Sequence, residues 1–323
     1  MSSSSVSVVI PAYNAKSYIV EAIESVRRQD APPTELVVVD DGSTDGTGDM
    51  VNAWVAANLP SFPVHVVRQA NGGLPAARNS GIKRASSEWI ALLDADDIWE
   101  VGHLSALHEA VAAAPQVVAA YGAGRVLVGT KVNELPYDEF WDNPSQTLGR
   151  AIANSASHFK IDFGAFGRLV KGNFIKPSSL MFRRQTAISL GVFDERLRTA
   201  EDREFLVRLL RAGDFVYTST PITQYRWHED NISQGKNARR NTENNLRALK
   251  IIQENTTLQL SASEAESCRR EVMSTAAGYL YLSAREGWRK YRDAVVFLFD
   301  NFGWRSSVAA FRLRHVLKLL LHR

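Results

Sequence analysis

What this sequence lacks narrows its class before any motif is read. Its 323 residues include a single cysteine, Cys268, so no intrachain disulfide can form; a reducing compartment and an inert helix residue are expected. No run approaches the roughly 20 apolar residues that a membrane-spanning helix needs. The serine tract at residues 2–5 carries neither a basic start nor an apolar leader, and the expected location is cytoplasmic. Excess charge is missing as well: 38 basic against 35 acidic residues leave a net +3. That field is too weak to grip a phosphate backbone, so no nucleic-acid partner is expected. Internal repeats are absent, and 45% hydrophobic with 23% charged residues is ordinary globular usage. The length suffices for one large domain and an appendage.

What is present alternates. Short apolar runs at 6–10 and 36–39 read as buried strands, and Ile19, Ala22, Ile23 and Val26 recur at helical spacing between them. Residues 15–29 therefore read as the crossover helix of a βαβ unit, stopped by Pro32 and Pro33. A second unit is expected with helices at 46–58, 75–85 and 102–114 and strands at 64–68 and 89–93. The fold class is α/β, a mostly parallel sheet flanked by helices. Further on, a strand at 176–182, a helix at 201–212 and a strand at 222–227 are expected, then helices only from 237. Residues 143–172 read as an unassigned loop. Three divisions follow: 1–100, 101–236 and 237–323.

Each early strand exits into polar residues, at 11–14, 40–43, 69–73 and 94–97. In open α/β sheets ligands sit beyond the carboxyl ends of strands, so these exits describe one crevice. Asp94, Asp96 and Asp97 repel one another unless a cation neutralises them, and oxygen donors of this kind suit Mg²⁺ or Mn²⁺. An acidic turn capping the next helix fits the same residues. Asp41 could accept the ring N–H of a pyrimidine, while Asp45 reads as a turn residue. Tyr13, after Pro11, could stack on a flat base, or pack as an ordinary tyrosine. Arg78 carries a planar fork suited to carboxylate or phosphate. Neither glycine-rich stretch has the spacing of a phosphate-cradling loop.

The blocks VSVVIPAYNA, ELVVVDDGSTDGT, NGGLPAARNSGI, WIALLDADD, GVFDERLRTAEDREFLVRL and YRWHEDNIS, in this order across residues 6–235, resemble the family 2 glycosyltransferases of the GT-A fold. The resemblance implies an inverting enzyme that moves a sugar from a nucleoside-diphosphate donor to a hydroxyl of a glycan or lipid-linked acceptor; Asp41 and Tyr13 suit a pyrimidine base, uracil by preference and thymine nearly as well, with guanine left open. It makes Tyr13 and Pro11 the base-stacking corner, Asp41 the reader of the base edge, and Asp94 and Asp96 the Asp-x-Asp motif, on the ribose and the metal respectively. Arg78 braces this cluster, and His228 adds a metal ligand. Asp202 is the general base, beside Glu201 on the acceptor side, where Lys176 and Ser178 are further contacts and Trp141, Phe163 and Phe166 could stack on sugars, although core packing explains those aromatics equally well. A nucleotidyltransferase, or an inactive sugar-nucleotide-binding protein, is the alternative. The segment 304–323 reads as a basic amphipathic helix, for an anionic membrane surface or for a second subunit in a homodimer.

Overall fold

The computed structural model describes residues 5–136, 144–153, 155–228 and 235–310. Trp141 lies outside them, as do residues 311–323 and the side chains of 304–309, so the basic-helix expectation falls beyond the described part.

In chain order the first half runs β1 (Val6–Ala12), α1 (Ile19–Arg27), β2 (Glu35–Asp40), α2 (Thr47–Asn58), β3 (Val64–Arg68), α3 (Leu74–Arg84), β4 (Trp89–Leu92), β5 (Ile98–Trp99) and α4 (His103–Ala113). β1 and β2 are buried along their whole length, as their apolar runs at 8–10 and 36–39 require of strands covered on both faces. On α1 the buried residues are Ile19, Ala22, Ile23, Ser25 and Val26, which include the apolar face read from the sequence. Each such aliphatic side chain taken out of water contributes about 1.5–3 kcal/mol. α3 lies so close on the sheet that a Cβ at Gly81 would come within 2.3 Å of Val9 Cγ1, which only glycine avoids.

The second half brings β6 (Ala119–Val128), β7 (Lys131–Pro136), α5 (Ser145–Leu148), β8 (Arg150–Ala151), β9 (His158–Ile161), α6 (Phe166–Lys171), β10 (Leu180–Arg183), α7 (Arg184–Ser189), α8 (Glu201–Ala212) and β11 (Phe215–Trp227). The sheet order is β3-β2-β1-β4-β10-β6-β11-β9-β8. β1, β2, β3 and β4 pair in parallel, but β10 runs antiparallel to both β4 and β6, so the sheet is mixed rather than mostly parallel. The expected strand at 176–182 starts later, because Pro177 opens a 3₁₀ turn over Pro177–Ser179 and has no N–H to give a ladder. The stretch left unassigned holds α5, β8, β9 and α6 among its described residues.

Two compact units result. The first comprises Met1–Ala165, Asn173–Arg196 and Arg208–His228 and contains the sheet; the second comprises Phe166–Gly172, Leu197–Val207 and Glu229–Arg323. The helical unit thus takes in α6 and the first turns of α8 besides the residues after 237. It is built on α9 (Ala238–Glu254), α10 (Ala262–Arg285) and α11 (Trp288–Ala310), with Leu246, Leu249, Cys268, Val272, Leu280 and Leu298 buried among them. A capping box between Ser261 and Glu264 starts α10. Cys268 is buried, and burial pushes its thiol up to about 11. No helix among the described residues is long and apolar enough to cross a membrane.

Candidate active site

The strand order reverses at β1, whose neighbours β2 and β4 return by crossovers on either side, and a ligand crevice opens at the carboxyl ends there. Ala12 of β1 pairs with Asp40 of β2, so Tyr13 and Asp41 both sit one residue beyond adjacent strand ends. Asp41 N–H donates to Ala12 O at 2.8 Å and joins the two exits. Asn14, in the left-handed region with φ 49°, ties them again: its N–H donates to Ser43 Oγ at 3.0 Å, and its Oδ1 accepts from Thr44 N at 2.9 Å. Tyr13 is left 53% exposed at this corner, available as a flat platform. Pro11 is buried inside β1 and fixes the strand below it.

The Asp41 side chain, 2% exposed, accepts three N–H donors from the stretch that leads into α3. Oδ1 takes Gln69 Nε2 at 2.8 Å and Gly72 N at 2.9 Å, and Oδ2 takes Gly73 N at 2.8 Å. Gly42 makes room for this stretch, since with φ +75° its Cβ would meet Asn71 N at 2.9 Å. Asp45 is the turn residue expected. It accepts from Thr47 N and Oγ1 and from Lys16 N, and these bonds outweigh burial to hold its carboxyl below the ordinary value.

Beyond β4 the acidic cluster divides its labour. Arg78, from α3 and 1% exposed, donates from Nη2 to Asp94 Oδ1 at 2.7 Å, and its guanidinium lies 5.4 Å from the Phe193 ring. Asp96 Oδ2 stands 3.0 Å from His228 Nε2, just past the end of β11. The His228 ring stacks on Tyr18 with centroids 5.0 Å apart. Arg226 props the same corner, with Nε on Asp96 O at 2.8 Å and Nη2 on Glu21 Oε2 at 2.6 Å.

Asp97 is a different matter. It is buried, and its Oδ1 accepts Arg226 N at 2.9 Å while its Oδ2 accepts Ser178 Oγ–H at 2.5 Å. Burial first, then the charges of Asp96 and Asp94, raise its carboxyl well above the usual range against those hydrogen bonds. Sequence reasoning missed this role, as it missed Gln69, Tyr18 and Arg226; a buried acid and its exposed neighbours look alike in a run of aspartates.

Ser178 needs correcting. Its hydroxyl, at 0% exposure, accepts Asp94 N–H at 3.0 Å and donates to Asp97, so it joins the acidic loop to β10 and is not open to an acceptor. Lys176 remains accessible, with Nζ 5.2 Å from the Tyr225 ring, and lines a small pocket with Asp97, Phe174 and Ser179. Phe166, 1% exposed, is a core residue and no sugar platform. Phe163 is half-buried under the Arg211 guanidinium, 4.5 Å away.

Glu201 and Asp202 open α8 in the second unit. Ala200 enters it at φ +64°, a conformation that a non-glycine residue adopts only under constraint. Glu201 is 4% exposed. Asp202 is half-buried and its Oδ1 accepts the Arg203 N–H at 2.7 Å. Burial lowers the Arg203 guanidinium pKa against the opposing charges of Asp202 and Glu271.

Among the described residues no three His, Cys, Asp or Glu side chains converge as a ready metal cage. A cation that keeps waters and substrate phosphates needs fewer. Neighbouring ligands about 2.1 Å from an octahedral ion lie about 3.0 Å apart, and the Asp96 to His228 spacing is 3.0 Å with the two side chains 31% and 18% exposed. This donor set fits a magnesium-like or manganese-like ion.

The exposed Tyr13, the buried Asp41 and the acidic loop that carries Asp94 and Asp96 thus all follow strand ends of one α/β sheet. The model of glycosyl transferase family 2 matches residues 7–170, about half of the chain, and the protein belongs to that family. Glycosyltransferase GlyG of Streptococcus pneumoniae is 37% identical over 33% of this chain and 35% of its own length. The chain thus spans only about a third of that relative. Amylovoran biosynthesis glycosyltransferase AmsB of Erwinia amylovora is 28% identical over 68% of this chain and 69% of its own. Among solved structures, residues 1–349 of S. aureus TarS with UDP-GlcNAc give a TM-score of 0.67 at 19% identity, covering 98% of this chain and 86% of that one. The mannosyltransferase PcManGT of Pyrobaculum calidifontis, with GDP-Man and Mn²⁺, gives 0.57 at 19% identity, covering 99% and 88%. These likenesses show a GT-A type fold.

Proposed function

We propose that this protein transfers a sugar from a nucleoside-diphosphate donor, UDP-linked by preference, to a hydroxyl of a glycan or lipid-linked acceptor, with inversion at the anomeric carbon. One observation carries the reading: within the first unit, Asp41, Asp94 with Arg78, and Asp96 with His228, distant in sequence, all lie beyond the ends of β2, β4 and β11. Tyr13 and Asp41 receive the base, Asp94 braced by Arg78 takes the ribose, and Asp96 with His228 would hold Mn²⁺ or Mg²⁺. That cation, when bound, would supply positive charge for the departing diphosphate.

The protein's own residues do the rest. Asp202 accepts the proton of the acceptor hydroxyl as its oxygen attacks the anomeric carbon. The bond from that carbon to the diphosphate oxygen breaks on the opposite face, which inverts configuration, and the bonding pair leaves with the nucleoside diphosphate. Asp202 belongs to the second unit, and its assignment rests on the motif block TAEDREF and on its place in the first turn of α8, where the helix dipole favours a carboxylate. The AmsB likeness supports a polysaccharide-type acceptor.

The test is release of nucleoside diphosphate from a panel of UDP-, GDP- and dTDP-sugars, with Mn²⁺ or Mg²⁺ and with chelator. Metal-dependent release from at least one donor is expected. Release unaffected by chelator would refute the cation's role, and no turnover or binding of any donor would refute the enzyme.

A further inference from the structure

Asp41 has almost no acceptor capacity left. A carboxylate offers about four lone-pair sites. Gln69, Gly72 and Gly73 fill three of them, two on Oδ1 and one on Oδ2. The two backbone donors belong to the path of the chain into α3 and cannot be withdrawn without moving the helix that carries Arg78. Gln69 Nε2 is different, a half-buried side-chain donor at the end of β3 that the fold could spare.

We propose that Gln69 is a specificity-determining residue for the nucleotide base: by occupying Asp41 Oδ1 it leaves one open acceptor site, on Oδ2, so that the site takes a base presenting a single ring N–H between carbonyls, uracil or thymine, and rejects guanine. This deepens the donor reading above and rests on it. Uracil N3–H needs one acceptor, and its two flanking carbonyls need none. Guanine presents N1–H and the N2 amino group side by side and needs both carboxylate oxygens at once. With Gln69 in place, one of its donors is left buried and unpaired, the costly outcome for a polar group. Tyr13 stacks on either ring and does not discriminate, so the discrimination falls to the count of open lone pairs.

Isothermal titration of the full chain with UDP, dTDP and GDP in the presence of Mn²⁺ tests this, on the native protein and on the Gln69→Leu, Gln69→Ala and Asp41→Asn variants. The native protein should bind UDP and dTDP at least tenfold more tightly than GDP. Gln69→Leu and Gln69→Ala should bring the preference down on the order of tenfold, mainly by tighter GDP binding, with UDP little changed. GDP binding as tight as UDP in the native protein, or a preference unmoved in both Gln69 variants, overturns the inference. Asp41→Asn separates that failure from a failure of the donor reading. If it weakens UDP binding while the Gln69 variants change nothing, only the role of Gln69 falls; if UDP binding survives it in a protein whose melting temperature is unchanged, Asp41 does not read the base and both ideas fall.

Discussion

Asp96 Oδ2 and His228 Nε2 lie 3.0 Å apart although 132 positions separate them in the chain. One residue follows β4 and the other follows β11, so the contact exists only because the sheet brings both exits to one edge. If the pair holds the catalytic cation, His228→Ala should raise the Mn²⁺ concentration needed for half-maximal activity by at least the 10–100-fold that loss of even an outer-shell partner costs in metal sites. A metal titration of initial rates reads this directly, and an unshifted titration would remove His228 from the cation.

Asp202→Asn keeps the shape of the side chain and removes its basicity. Transfer to acceptor should fall by roughly 10²–10⁴-fold, the usual worth of a positioned general base. UDP affinity by calorimetry should stay within a few-fold of the native value. Lost affinity with surviving turnover would place Asp202 on the donor instead.

Ser178→Ala separates a structural serine from an acceptor contact. Removing a hydroxyl that serves both Asp94 N–H and the buried Asp97 should cost about 1–3 kcal/mol in urea unfolding. The KM for acceptor should move no more than the KM for donor. A change confined to acceptor KM, with stability intact, would restore the acceptor role.

His103 gives the fold a built-in sensitivity to acid. It is fully buried, stacked 3.8 Å from Trp99, with Nδ1 bonded to Ile222 O, and burial lowers its pKa from 6.5 to about 3. Between these values the unfolded chain takes up a proton that the folded one refuses. Its contribution to stability is therefore intact above pH 6.5 and lost as pH falls towards 3, at up to about 1.4 kcal/mol per pH unit. Unfolding free energies at pH 7.5 and pH 5 should differ less in His103→Gln than in the native protein, and an equal difference would show that another group carries the effect.

Legibility in the sequence followed burial. β1 and β2 carry the apolar runs 8–10 and 36–39 and end in polar residues, and their positions, with Tyr13 and Asp41 at the exits, could be read because a strand covered on both faces admits little else. β6 could not be, since AAYGAGRVLV mixes small residues with an arginine; its burial comes from neighbours far along the chain. The first half of β11 was hidden by Pro221, where its register with β6 shifts. Ser178 was misassigned for a related reason: only the fold shows that the acidic loop closes over it. Asp97, Gln69 and Arg226 have no local signature, because each acts on a partner supplied by another strand end.

The most direct test is diffraction from crystals grown with UDP and Mn²⁺, using anomalous scattering to locate the ion. The expected result is one manganese peak about 2.2 Å from both Asp96 Oδ2 and His228 Nε2, touching the diphosphate, with the uracil on Tyr13 and its N3–H on Asp41. A metal bound away from these two side chains, or a nucleotide lodged off the β1 and β4 exits, would contradict the account.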